Sequence, residues 1–246
     1  MARLVLVHGA FCGAWYWERV VEPLESRGHT VEVLDLPGSG DDQTPAEEVN
    51  LDAYVERVGA QLGERDEPAV LVAYSMGGVV ATQAAARYPD QVEAVVYTCA
   101  FVPQDGQSLI DLTQLPEGAG DQIQANLIVE GLVGRLTEEA SRAAIYNETE
   151  EEDAAYAIAQ RRPQPGLPFA EKVEIPDGAF DDIPRRYVHT TRDQSIPPPL
   201  QKRMIEENGI TDVIEIDAYH APAFSRTDEL VDAIDKLVTL EPAGAP

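Results

Sequence analysis

Short apolar runs rich in β-branched residues alternate along the chain with segments whose apolar residues recur at helical spacing. That alternation predicts a mostly parallel sheet with helices on both faces. Residues 4–7 and 30–34 are the first two expected strands, joined by a helix over 15–27 that Gly28 ends and that Pro23 should start or kink. Leu51, Val55, Val58 and Leu62 follow at helical spacing with Asn50 as N-cap, and residues 69–73 form a fully apolar strand. Ser75 comes directly after that strand, before an Ala-rich helix over 76–88 that Pro89 stops, and residues 92–98 give the next strand.

After Pro103 the alternation fails. Residues 104–182 read as helical pieces and Pro/Gly loops with no strand pair, and Thr149 with Glu152 forms a capping box for a helix through Ala159. Strand and helix resume at 185–191, at a helix opening on Pro197-Pro198-Pro199, at a strand over 211–216 and at a last helix over 227–240, after which 241–246 should fray. The expected organisation is one α/β core, 1–103 and 183–246, interrupted by a helical cap over 104–182.

Composition narrows the function classes. The 246 residues suffice for a sizeable core, and 44 Asp and Glu against 18 Lys and Arg give a formal charge of -26. Such a surface repels phosphate backbones and anionic headgroups, so neither nucleic acid nor membrane is an expected partner. Two cysteines, Cys12 and Cys99, make no disulfide framework, no Cys/His cluster has zinc spacing, and the apolar run at 4–7 is too short for a signal peptide. A cytoplasmic location, no metal and no cofactor are expected.

The chemistry concentrates at Ala73-Tyr74-Ser75-Met76-Gly77-Gly78, between a strand and a helix. A serine on such a sharp turn needs small residues two before and two after it, and Ala73 and Gly77 meet that need. Of the four histidines, His29 reads as a surface residue, His8 as loop architecture and His189 as a core residue. His220 follows the last strand, at the carboxyl edge where open α/β sheets place their sites, and is the expected base. Asp193 emerges at the same edge after the preceding strand, whereas Asp181 and Asp182 precede that strand and Asp217 is placed to hold the histidine loop. Backbone N–H groups of Met76, at a helix start, and of Ala10, in the loop after the first strand, are the expected oxyanion donors.

Together these residues resemble the α/β-hydrolase superfamily, in which nucleophile, acid and base follow the chain order that Ser75, Asp193 and His220 have. Leu6-Val7-His8-Gly9-Ala10, Gly13-Ala14-Trp15-Tyr16-Trp17, Leu34-Asp35-Leu36-Pro37-Gly38 and Asp217-Ala218-Tyr219-His220 look like the plant methylesterase and hydroxynitrile lyase branch and its bacterial relatives. The resemblance implies an esterase with those three catalytic residues and with oxyanion donors Ala10 and Met76. Lyases of this branch place a threonine after the first-loop histidine and a lysine after the catalytic one; here Gly9 and Ala221 stand there. A hydroxynitrile lyase-like or other non-hydrolytic reaction on the same scaffold and a non-catalytic small-molecule binder are the two alternatives to ester hydrolysis.

Phe11, Tyr74, Phe101 and Ala221 are the expected substrate-lining residues. The cap carries 17 acidic and 5 basic residues among its 79, which favours a neutral ester over a dianion. The oligomeric state stays open between monomer and homodimer. With 3 lysines beside 15 arginines and so much acid, the surface suits high ionic strength, where self-repulsion is screened. Molar NaCl is therefore expected to raise the melting temperature in a thermal scan; an unchanged or lower value contradicts that reading.

Overall fold

Six strands form the central sheet in a computed structural model that describes residues 1–240; the expected fraying of 241–246 lies outside the described residues. β1 (Arg3–Val7) and β2 (Thr30–Val33) pair in parallel across the connecting α1 (Glu18–Ser26). α2 (Leu51–Leu62), β3 (Ala69–Tyr74), α3 (Gly77–Arg87) and β4 (Val92–Thr98) continue the alternation. An insertion follows, with α4 (Leu109–Thr113), α5 (Gln122–Asn126), β5 (Ile128–Glu130), β6 (Val133–Arg135), α6 (Glu138–Ala144), α7 (Glu151–Gln160), β7 (Gln164–Pro165) and α8 (Leu167–Ala170). β8 (Arg185–Thr190), α9 (Pro198–Glu207), β9 (Asp212–Ile216), α10 (Pro222–Ser225) and α11 (Thr227–Val238) complete the core.

The sheet order is β2-β1-β3-β4-β8-β9, with every neighbouring pair parallel. The chain moves outward from β1 to β2, then crosses back over β1 to reach β3, so its direction of travel reverses between β1 and β3. Loops leaving the carboxyl ends of those two strands diverge there and open a crevice. Alternation along the strands divides the apolar core. Val5, Val7, Leu71 and Ala73 pack with α2, α3 and α9, while Leu4, Leu6, Val70 and Val72 pack with α1 and α11. No helix among the described residues is long and apolar enough to cross a membrane.

Three expectations are corrected. The helix expected over 15–27 is a 3-10 turn, Ala14–Trp17, followed by α1, with Pro23 inside the helix rather than at its start. Glu150, not Thr149, is the N-cap of α7; the Thr149 N–H is already bonded to the Tyr146 carbonyl, and Glu151, Glu152 and Asp153 face the helix's positive end instead. The insertion is not free of strands, because β5, β6 and β7 form an antiparallel sheet. Its hairpin turns at Gly131-Leu132, where Gly131 has φ 61, but strands of two or three residues give too short a pattern to read.

Candidate active site

Ser75 lies one residue past β3 with φ 54, a left-handed conformation that costs a side-chain-bearing residue of order 1 kcal/mol or more. Local hydrogen bonds hold it there. Its N–H donates to the Thr98 carbonyl at 3.4 Å, and its carbonyl accepts the N–H of Gly78 at 3.0 Å and of Phe101 at 3.1 Å. The turn has no spare volume: a Cβ at Gly77 would stand 2.6 Å from the His8 carbonyl oxygen.

His220, between β9 and α10, is buried with its Nε2 3.0 Å from Ser75 Oγ and its Nδ1 2.8 Å from Asp193 Oδ2. Asp193 follows β8 in a turn built around its carboxylate. Oδ1 accepts the N–H of Ser195 and of Ile196, each at 2.8 Å. Oδ2 accepts from Thr190 Oγ1 at 2.9 Å and Gln201 Nε2 at 3.1 Å as well as from His220. With an acid held as acceptor on one side, Nδ1 carries the proton and Nε2 is left to accept from the serine hydroxyl.

Cys99 Sγ approaches the same group, its ligand atom lying within 4.8 Å of one on Asp193 and one on His220. Burial pushes its thiol well above the usual range, and Sγ donates to the His220 carbonyl at 3.6 Å. The three therefore form a hydrogen-bonded cluster around the histidine.

Ala10 and Met76 both line the cavity that opens over Ser75, and neither N–H has a protein acceptor among the described residues. The first loop owes its shape to His8. Its Nε2 accepts the Leu36 N–H at 3.1 Å, so the proton sits on Nδ1, which donates to the Gly9 carbonyl at 2.8 Å. Burial lowers the pKa of this imidazole, which keeps it neutral in that role. The insertion secures the same loop through Gln164, whose Oε1 accepts the Phe11 N–H at 3.0 Å and whose Nε2 donates to Tyr54 at 2.9 Å.

The cavity has a volume of about 260 Å³ and lies between the core loops and the insertion. Phe101 is in its wall, but Phe11, Tyr74 and Ala221, expected there, are buried outside it. Tyr74 instead points to the opposite face of β3, stacking on Tyr16 with ring centroids 3.9 Å apart and standing 5.0 Å from the His220 ring. His29 is corrected too: it is buried, with Nε2 2.9 Å from Asp235. His189 is buried as expected and pairs with Glu215.

The family model described as the alpha/beta hydrolase family matches residues 4–233 of this sequence. The chain belongs to the alpha/beta hydrolase family. Among curated relatives, a putative chloroplastic methylesterase 13 of Arabidopsis thaliana is 29% identical over 93% of this chain, which spans 54% of that relative's length. An alpha-hydroxynitrile lyase of the same plant is 28% identical, with 96% of this chain and 97% of its own covered. Crystalline polyneuridine aldehyde esterase superposes with a TM-score of 0.85 at 24% identity, covering 97% of this chain and 99% of its own. Sequence reasoning missed Gln164, Gln201 and Asp121, the last of which lines the cavity beside Ser75. Only the capping position of Asp121, a helix-start acid before Gln122, carried a signal, and it pointed to structure rather than to the site.

Proposed function

We propose that this alpha/beta hydrolase is a serine esterase of small carboxylic esters that needs no cofactor. The observation that carries the reading is the continuous hydrogen-bonded line Asp193–His220–Ser75, ending at a cavity lined by Ala10 and Met76, whose N–H groups have no protein acceptor among the described residues. Ser75 Oγ attacks the acyl carbon while His220 Nε2 takes its proton, and Asp193 stabilises the resulting imidazolium. The carbonyl oxygen, now an anion, sits between the N–H groups of Ala10 and Met76, a role in which one lost donor costs about 2.7–4 kcal/mol. His220 returns the proton to the departing alcohol, leaving an acyl-serine. Water deprotonated by His220 then releases the acid and restores Ser75. The polar roles of both half-reactions are filled by this chain's own groups. A small-molecule substrate and a cytoplasmic setting complete the proposal.

A second reading, cyanohydrin cleavage, is favoured by the lyase among the relatives. Two positions oppose it. A Cβ at Gly9 would lie 2.7 Å from Ser75 Cβ and 2.9 Å from the Tyr74 ring, so the lyases' threonine has no room beside this elbow. Ala221, buried at the start of α10, supplies no cation for a departing cyanide. Assaying nitrophenyl acetate and mandelonitrile side by side separates the two, and a fluorophosphonate probe reports on Ser75. The expected result is nitrophenol release, labelling at Ser75 and no enzymatic benzaldehyde; fast benzaldehyde release with no ester turnover overturns it. Folded protein that neither turns over nor labels is a binder.

A further inference from the structure

Asp121 is placed where the proposed reaction has no use for it. It is the N-cap of α5, and its Oδ1 accepts the N–H of Ile123 at 2.8 Å and of Gln124 at 3.0 Å. That leaves Oδ2 without a protein donor among the described residues, although the residue is only 8% exposed. The carboxyl lines the same cavity as Ser75, and no other ionisable side chain among the described residues does so. It has no ion-pair partner among them either, whereas Arg19, Arg87 and Arg192 pair with Asp153, Asp52 and Glu148.

Burial pushes the Asp121 carboxyl up to about 6, against the pull of its two N–H bonds and of His220 and with the help of Asp193. Above that value a charged carboxylate faces a chamber otherwise walled largely by apolar groups such as Leu109, Leu127 and Phe169. With Oδ1 taken up by the helix cap, Oδ2 is the oxygen left for a ligand's donor, and a cation is the strongest donor.

We propose that Asp121 determines specificity: the site takes esters bearing a protonated amine, whose N–H donates to Asp121 Oδ2 while the ester carbonyl rests against Ser75. The carbon chain between ammonium and ester packs on the apolar walls. Esters with a free carboxylate are refused by the same charge. This assignment deepens the esterase reading and rests on it for turnover, not for binding.

Methyl 6-aminohexanoate and methyl heptanoate form a near-isosteric pair, one cationic at pH 8 and one neutral. The ratio of their kcat/KM values, cationic over neutral, is to be measured for the native protein and for Asp121→Asn, which keeps the Oδ1 acceptor that caps α5. The ratio is expected to fall about tenfold or more in the variant, the loss associated with a charge-assisted hydrogen bond. An equal ratio in the two proteins overturns the proposal and leaves Asp121 a helix cap. Should the Asn variant not fold, Asp121→Ser supplies a second capping side chain for the same comparison. Calorimetric binding of methyl 6-aminohexanoate to Ser75→Ala, with and without Asp121→Asn, reads the pairing without turnover. About tenfold weaker binding in the double variant supports the proposal even if no ester is hydrolysed, and equal binding overturns it even if esters are.

Discussion

Replacing Ser75 by alanine is expected to lower kcat for nitrophenyl ester hydrolysis by about 10⁴–10⁶-fold, equivalent to about 5–8 kcal/mol of transition-state stabilisation. Alanine removes the proposed attacking oxygen but leaves the proposed Ala10 and Met76 donors and the cavity, so on that proposal the residual rate reports what binding and oxyanion stabilisation achieve alone. The fold should survive. Alanine keeps the Cβ, so the backbone at φ 54 is neither more nor less strained, and the bonds from Gly78 and Phe101 to the residue's carbonyl are untouched. Only the 3.0 Å contact to His220 Nε2 is lost. Glycine at 75 tests the strain directly, since it adopts positive φ freely and should melt above the alanine variant by an amount corresponding to about 1 kcal/mol. Steady-state kinetics with a thermal melt check both halves. Activity within tenfold of native would identify a different nucleophile.

How much of this was legible in the sequence follows from the range of each interaction. The elbow at Ser75 is local, because the small side chains its turn needs lie two residues away on either side, and the strand before it is apolar throughout. His220 and Asp193 were reachable through one further step, the rule that residues just past parallel strands share an edge. Tyr74 shows where that reasoning stops. Every residue of β3 is buried, so the strand lacks the polar–apolar alternation that would have told which neighbours of Ser75 face the cavity and which face Tyr16.

Gln164 and Gln201 were illegible for a different reason. Gln164 acts on Phe11 from 153 residues away and on Tyr54 from 110, and no periodicity in either segment encodes the meeting. His29 likewise looked like a turn residue because its partner, Asp235, is 206 residues distant. Gln201 lies one turn into α9 and passes for an ordinary helical glutamine. Only the docking of that helix against β8 turns its amide toward Asp193 Oδ2 and the Ile196 carbonyl. A polar side chain that works through tertiary contact leaves a local pattern no different from one that faces solvent.

Gly78→Ala should destabilise the protein by about 2–3 kcal/mol and lower its melting temperature by about 4–12 °C. On propensity alone the change is favourable, since alanine exceeds glycine in a helix by about 1 kcal/mol. Packing decides the sign. A Cβ at this position would stand 2.1 Å from the Phe101 carbonyl oxygen, 2.9 Å from Ala100 Cβ and 3.1 Å from the Phe101 carbonyl carbon. Two of those atoms are backbone, with no rotamer to relieve the overlap, and the Phe101 N–H is tied to the Ser75 carbonyl at 3.1 Å. Separating α3 from the end of β4 therefore drags the elbow with it, moving Ser75 Oγ and the Met76 N–H together relative to His220. A displacement near 1 Å is enough to cost about 10²-fold in rate, so kcat should fall along with stability. Gly63→Ala is the control: it caps α2 at φ -71, and its Cβ would meet nothing nearer than 3.5 Å. That variant should keep both melting temperature and activity. If Gly78→Ala melts with the native protein and matches its kcat, the close approach of α3 to Phe101 does not set the position of the nucleophile.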